Sequence, residues 1–409
     1  MKINSFVLLL LPLTACFSPQ LRVPVKTGLD ILVEQNFAPL KGKRVGLVTH
    51  PPSVDRHLVW DVDLFRASDS FELVALFGPE HGLFGQAHAG EKVSDQDWNG
   101  IRLHSLYGQT RKPTPEMLAG LDILVFDLQD IGVRSYTYIS TLALVMTACA
   151  EVGLPLMVLD RPNPIGGLVI DGPILKPEFQ SFVGYVNVPY VHGLTMGEMA
   201  RWINGEMLEG KVDLTVIPMH GWHRKMTWPE TGLPWVPTSP HIPHWQSAAF
   251  CATTGIIGDL GWVNIGVGYP QPFELIGSPN LDGFELAKRL NALQLPGLHF
   301  RPIQYRPFYA LFNGQDCQGV QIHVTDPQTI QPLVTCLSMM CLLRDMDAAN
   351  NPVPTFSDEK KAAIDRLWGT EQVMDGFRSG QTAEKIAAQW QPEWAQYRNT
   401  RLVYLLYSE

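Results

Sequence analysis

The sequence predicts an α/β fold built on a parallel sheet that is covered on both faces. Two observations carry this expectation. Short apolar runs recur from Lys43 onward, and each ends in polar residues before a helix-like or loop segment. A third observation is length: 409 residues exceed the roughly 250–300 that a single core sustains, so two domains are expected.

The runs Arg44 to Val48, Leu73 to Phe77, Ile123 to Phe126 and Leu156 to Leu159 have the β-branched, apolar character of strands buried on both sides. Between the last two, Tyr136 to Val152 has the length of a crossover helix and stops at Gly153 and Pro155. Thr195 with Glu198 three residues later forms a capping-box signature for a helix to about Asn204, and Leu214 to Ile217 is a further strand. From Trp222 to Trp245, four tryptophans, five prolines and three histidines leave no room for regular structure. A stretch so aromatic is expected to fold over a pocket. Beyond Ser247 the pattern turns to longer helices and a few strands, such as Gly319 to Thr325, where Val320, Ile322 and Val324 alternate with polar neighbours. Helices are expected near Pro332 to Leu343, Asp358 to Trp368, Thr382 to Trp390 and Pro392 to Leu402.

The N-terminus predicts a compartment. Lys2 precedes an apolar run from Phe6 to Leu13, far shorter than the ~20 residues needed to span a bilayer, so residues 1–15 read as a signal peptide. Leu13-Thr14-Ala15-Cys16 resembles a bacterial lipobox, which makes Cys16 the expected lipidation site. Phe17, in place of an aspartate, favours the outer membrane, so a lipid-anchored periplasmic protein is expected, with residues 16–27 as acylated start and linker. The hydrophobic share of 45% and charged share of 17% suit a packed globular body. A formal net charge of −9 offers no basic stripe for phosphates, so nucleic acid is not an expected partner. Cys149, Cys251, Cys317, Cys336 and Cys341 are odd in number and lack metal-ligand spacing, which leaves room for at most one or two bridges.

Ligands of open α/β sheets bind beyond the carboxyl ends of the strands. Here those ends carry Thr49 and His50; Gly78-Pro79-Glu80-His81-Gly82; Asp127, Gln129 and Asp130; and Asp160, Arg161 and Asn163. Four such ends imply a polar cleft holding several carboxylates, which suits acid/base work on a neutral polyhydroxyl substrate. The sequence lacks a G-x-S-x-G elbow, an H-E-x-x-H helix and a phosphate-binding loop. Gly266-Val267-Gly268 lacks the third glycine of a dinucleotide fingerprint, and the His220/His223 and His241/His244 pairs have a spacing that could bind a metal, though their loops beside prolines make only a weak signal.

Four stretches then carry a resemblance: Phe77-Gly78-Pro79-Glu80-His81-Gly82, the run from Phe126-Asp127-Leu128-Gln129-Asp130 through Arg134-Ser135-Tyr136-Thr137-Tyr138, Leu159-Asp160-Arg161-Pro162-Asn163-Pro164, and His192-Gly193-Leu194-Thr195-Met196-Gly197-Glu198. Together they resemble the NamZ-type exo-β-N-acetylmuramidases, long catalogued as a domain of unknown function, from about Gly28 to the C-terminus. The resemblance implies a Rossmann-like parallel-sheet domain over 28–247 and a smaller α+β C-terminal domain over 248–409. It also implies a cleft between them, no metal or other cofactor, and peptidoglycan-derived saccharides as substrate.

Glu80, held in a tight turn just past a strand, is the expected general acid, and Asp127, Asp130 and Asp160 compete for the second carboxylate role. Arg134 and Arg161 are candidates either to clamp the lactyl carboxylate of muramic acid through bidentate bonds or to form structural ion pairs. Tyr136 and Tyr138 are placed to line the sugar site, though only one of the two is expected to face it. His50, His81, Gln129, Asn163 and His192 complete the expected substrate-binding set, with His81 and His192 better suited to fixing loops than to catalysis. One departure stands out. Where the family usually reads Glu-Gly-Thr-Asn and Glu-Gly-Arg-Gly-Thr before Pro-Phe-Glu, this chain has Asp259-Leu260-Gly261-Trp262 and Ile265-Gly266-Val267-Gly268-Tyr269 before Pro272-Phe273-Glu274. Apolar Ile265 and Val267 cannot make the charge-assisted bonds of Glu and Arg, so the substrate differs, or catalysis has weakened and a lipid-anchored muropeptide-binding protein is the alternative.

Overall fold

The computed structural model describes residues 24–409; the expected signal peptide and Cys16 lie outside the described residues. The strands run, in chain order, β1 Arg44–Val48, β2 Glu72–Gly78, β3 Gln96–Trp98, β4 Ile101–Ser105, β5 Ile123–Phe126, β6 Leu156–Leu159, β7 Asp171–Ile174, β8 Pro189–Val191, β9 Leu214–Ile217, β10 Leu275–Ser278, β11 Leu298–Tyr305 and β12 Cys317–Val324. Seven of them form one sheet in the order β3-β4-β2-β1-β5-β6-β9, parallel throughout except for the β3–β4 edge pair. Numbered by succession, the six parallel strands lie 3-2-1-4-5-6, the Rossmann order, with its reversal between β1 and β5. The α/β class and the Rossmann-like sheet are thus as expected.

Period-two alternation builds the two layers over this sheet. Val48, Phe77, Phe126 and Val158 face one way and pack against Leu142, Val145, Met146 and Met199 of the helices Tyr138–Val152 and Met196–Trp202. Val45, Leu47, Leu76, Val125 and Leu159 face the other way, against Leu29, Leu32, Val62 and Phe65 of the helices Gly28–Glu34 and Asp61–Arg66. The second part of the chain sets the antiparallel sheet β10-β12-β11 against the helices Trp245–Asp259, Gly283–Ala292 and Pro332–Met346. Its core is continuous with the first part, because Ile131, Val133, Tyr190 and Val191 pack into the same cluster as Leu333, Leu337 and Trp368.

Several elements differ from expectation for physical reasons. Tyr136 and Thr137 precede the crossover helix, which starts at Tyr138. The Trp245–Asp259 helix crosses the 247/248 division, and residues after Arg401 return to the first part, where Tyr407 bonds Asp160. Strands β3 and β11 carry no strong signal: β3 is a polar, exposed edge, and β11 holds Pro302 in an edge strand, where a missing N–H is tolerated. All five described cysteines are unbridged. No helix among the described residues is long and apolar enough to cross a membrane.

Candidate active site

Strand β2 ends at Gly78, and the chain turns sharply at once: Gly82 N–H donates to the Pro79 carbonyl at 2.9 Å, with His81 at φ +70° and Gly82 at φ +75°. This turn lifts Glu80 toward a helix start. One carboxylate oxygen accepts from the Gly90 N–H at 2.9 Å and the other from the Thr137 hydroxyl at 2.7 Å, Thr137 standing just before the 15-residue Tyr138–Val152 helix at its positive dipole end. The Tyr107 hydroxyl lies beside the same carboxylate; burial, then the Glu80 charge, raise its pKa above the ordinary phenol value. His81 uses Nδ1 on the Ala87 carbonyl at 2.8 Å, which leaves Nε2 free to accept.

Glu80 and His81 open onto a cavity of about 440 Å³ between the two parts of the molecule. Ser135, Tyr136, Thr137 and Tyr190 line it from the first part, and Ser239, His241 and Ile242 reach it from the tryptophan- and proline-rich loop that was expected to fold over a pocket. Asp259, Val263, Asn264, Ile265, Val267 and Phe273 close it from the second part. Asp259 ends the Trp245–Asp259 helix, and the walls around its carboxyl raise its pKa above the usual range, with Lys360 opposing. Among the described residues the lining holds two carboxylates, Glu80 and Asp259, and neither lysine nor arginine. Ile265 and Val267, which mark the departure from the family pattern, form part of its apolar wall.

Three of the thirteen sequence-predicted catalytic and binding residues therefore line the cavity: Glu80, His81 and Tyr136. The others lie under or behind it. Asp127 is buried at the switch point and paired with Arg161, whose other nitrogens span 2.8 Å to the same carboxylate and 3.0 Å to the Val54 carbonyl. Burial, then the Asp127 charge, push the adjacent Asp61 well above the usual carboxylate range. The crevice where a Rossmann fold takes its ligand is thus filled by side chains, including His50, whose Nε2 accepts from the Gln129 N–H at 2.8 Å. Gln129 in turn donates to the Asp130 and Pro162 carbonyls.

The expected carboxylate clamps are engaged elsewhere. Arg134 is fully buried and donates to the carbonyls of Pro173, Val188, Leu367 and Trp368, while Arg161 serves Asp127, so neither guanidinium is free for a substrate. Asp160 accepts from Gly197, Thr195, Arg161 and Tyr407, and Asn163 fixes the loop against Leu194. Gly132 sits at φ +83°, and a Cβ there would fall 2.4 Å from the Asn163 amide, which explains that glycine. Tyr138 is buried behind Tyr136 and donates to the Thr238 carbonyl. Asp130 has one oxygen without a partner, and burial raises its pKa to about 7. His192 stands 3.9 Å from it; burial, with Arg134 and Arg401, lowers its pKa to about 3. Sequence reasoning missed Tyr107, Tyr190, Ser239 and Asn264, and it singled out Asp259 only as part of the departure.

Fold and site define an α/β protein that combines a Rossmann-order sheet with a smaller antiparallel one, with a carboxylate-bearing cavity lined from both parts. The N-terminal and C-terminal models of the exo-β-N-acetylmuramidase NamZ match this chain over residues 45–246 and 251–407. The peptidoglycan β-N-acetylmuramidase NamZ of Bacillus subtilis (strain 168) is 42% identical over 385 residues, covering 94% of this chain and 91% of that protein. Two crystal structures of DUF1343 family proteins from Bacteroides fragilis NCTC 9343 each cover 95% of this chain and 100% of theirs: BF0371 at 41% identity and TM-score 0.90, and BF0379 at 27% and 0.74. The chain belongs to the NamZ exo-β-N-acetylmuramidase family.

Proposed function

We propose that this protein is an exo-acting glycosidase that releases N-acetylmuramic acid from the non-reducing end of peptidoglycan fragments. The observation that carries the reading is the cavity lining, with two carboxylates and, among the described residues, no lysine or arginine. Glycoside hydrolysis passes through an oxocarbenium-like state, and a lining of this sign stabilises positive charge as it develops on the sugar. Ile242, Val263, Ile265, Val267 and Phe273 exclude water from the far wall, which strengthens that interaction. Glu80, its carboxyl plane fixed by Gly90 and Thr137, gives a proton to the glycosidic oxygen as the C1–O bond breaks, and water supplies the new C1–O bond and returns a proton to the site. Asp259 is the second carboxyl group, because it lines the cavity, whereas Asp127 is held by Arg161 and Asp130 lies outside the lining.

The test incubates the full chain with a muramyl-glucosamine disaccharide and measures free N-acetylmuramic acid. Release is expected, and Glu80→Gln should lower it by about 10² to 10⁴, or roughly 3 to 5 kcal/mol of barrier. Binding without release by the wild type would instead favour the muropeptide-binding alternative. The Leu13-Thr14-Ala15-Cys16 motif supports a lipid-anchored protein of the periplasm, and Cys16→Ser should move it from the membrane fraction to the soluble one.

A further inference from the structure

Muramic acid differs from glucosamine by one group, an ether-linked lactate on O3 that carries a carboxylate. An enzyme that selects it needs a cation or fixed donors, yet the cavity interior offers two acids of its own. No lysine or arginine lines that interior, so a cation for the lactyl group must come from the rim. There, in the loop after β4, stands Arg111. Its guanidinium lies 4.1 Å from the centre of the Phe182 ring and 5.1 Å from that of Tyr107, two rings that themselves meet at 5.7 Å. Rings hold a guanidinium through its flat faces and leave its N–H edge free for a planar anion. The Tyr107 hydroxyl shares part of that edge, and no carboxylate takes the rest: Arg111 has no ion-pair partner among the described residues.

Its place in the site follows from its supports. Val183, next to Phe182, lines the cavity, and Tyr107 lies beside Glu80. After burial, the Glu80 charge raises the Tyr107 pKa and Arg111 opposes it, so the phenol feels both groups. A sugar whose glycosidic oxygen meets Glu80 therefore lies next to the Arg111 rim, with Tyr107 between the two. We propose that Arg111 is the specificity-determining residue of this site, holding the lactyl carboxylate of a terminal muramyl residue by paired hydrogen bonds. This rests on the glycosidase reading for its substrate class.

The experiment titrates full-length wild type, Arg111→Met and Arg111→Lys with N-acetylmuramic acid and with N-acetylglucosamine by calorimetry, alongside release from the disaccharide. Wild type should prefer the muramic acid by about 10- to 100-fold, a preference that Arg111→Met abolishes without weakening the glucosamine sugar, and that Arg111→Lys keeps in part. An unaltered preference in Arg111→Met overturns the assignment. So does an equal loss for both sugars, or a wild type that prefers neither or binds neither. A wild type that discriminates through Arg111 and yet releases no sugar leaves the assignment standing and removes the glycosidase reading alone.

Discussion

At Asp160, four donors and complete burial pull in opposite directions. The N–H groups of Gly197 and Arg161, at 2.7 and 2.9 Å, and the hydroxyls of Thr195 and Tyr407, at 2.8 and 2.5 Å, favour the ionised carboxyl. Burial outweighs them, and the pKa rises to about 7. The folded chain therefore holds this proton more tightly than the unfolded chain, whose aspartates titrate near ~3.9. Stability from a raised acid is complete below the unfolded value and is lost as pH climbs through the folded one. Asp160→Asn lacks that proton, so wild type should lose stability relative to the variant between about pH 4 and about 7. Urea midpoints for both proteins across that range decide it, since Asp130 and Asp171 shift both alike. A gap that stays constant with pH refutes the argument. Position past a strand end was legible in the sequence for Glu80, Asp127 and Asp160 alike, whereas exposure was not. The groups that cover Asp160 and Asp127 come from Tyr407 and Arg161, 247 and 34 residues away, a proximity only the folded chain creates.

Signals confined to a few neighbouring residues were easier to read, as the Met196–Trp202 helix illustrates. Thr195 and Glu198 form the reciprocal capping box that their spacing predicts. The same Glu198 then does work no local pattern reveals: its other oxygen binds Arg224 at 2.6 Å and the Leu406 N–H at 2.9 Å, tying this helix to the tryptophan-rich loop and the chain end. Both members of the ion pair are almost wholly buried. Glu198→Ala strands the Arg224 charge and should cost about 3–5 kcal/mol. Chemical denaturation measures that loss, and Glu198→Gln, which keeps the cap, should lose less. Specific activity of the folded fraction should hold, since Glu198 is absent from the cavity lining; a selective fall in activity would assign it to the site. In contrast, β3 and β11 escaped notice because exposed edge strands need no continuous apolar run.

At the scale of the whole molecule, the cavity depends on how firmly the two halves are joined. One core cluster runs from Ile131 and Val191 through Leu333 to Trp368, which predicts a single cooperative unfolding transition despite two sheets. Arg134 adds a directional brace to this apolar contact. Its donors span the Pro173 and Val188 carbonyls around the β7–β8 hairpin and the Leu367 and Trp368 carbonyls that end the Asp358–Trp368 helix, carbonyls that have no partner within that helix. Burial lowers the Arg134 pKa only to about 10, so the brace stays charged at neutral pH. A motif that read as a candidate substrate clamp thus reaches the cavity indirectly, through Leu367, which lines it. Arg134→Met keeps the apolar core but leaves four carbonyls without this donor, at about 1–3 kcal/mol for each that water cannot reach. Calorimetry should show one transition at lower temperature, and kinetics a raised KM as the Leu367 wall loosens. Two resolved transitions in the wild type would mean that the halves unfold separately and that the shared core does not couple them.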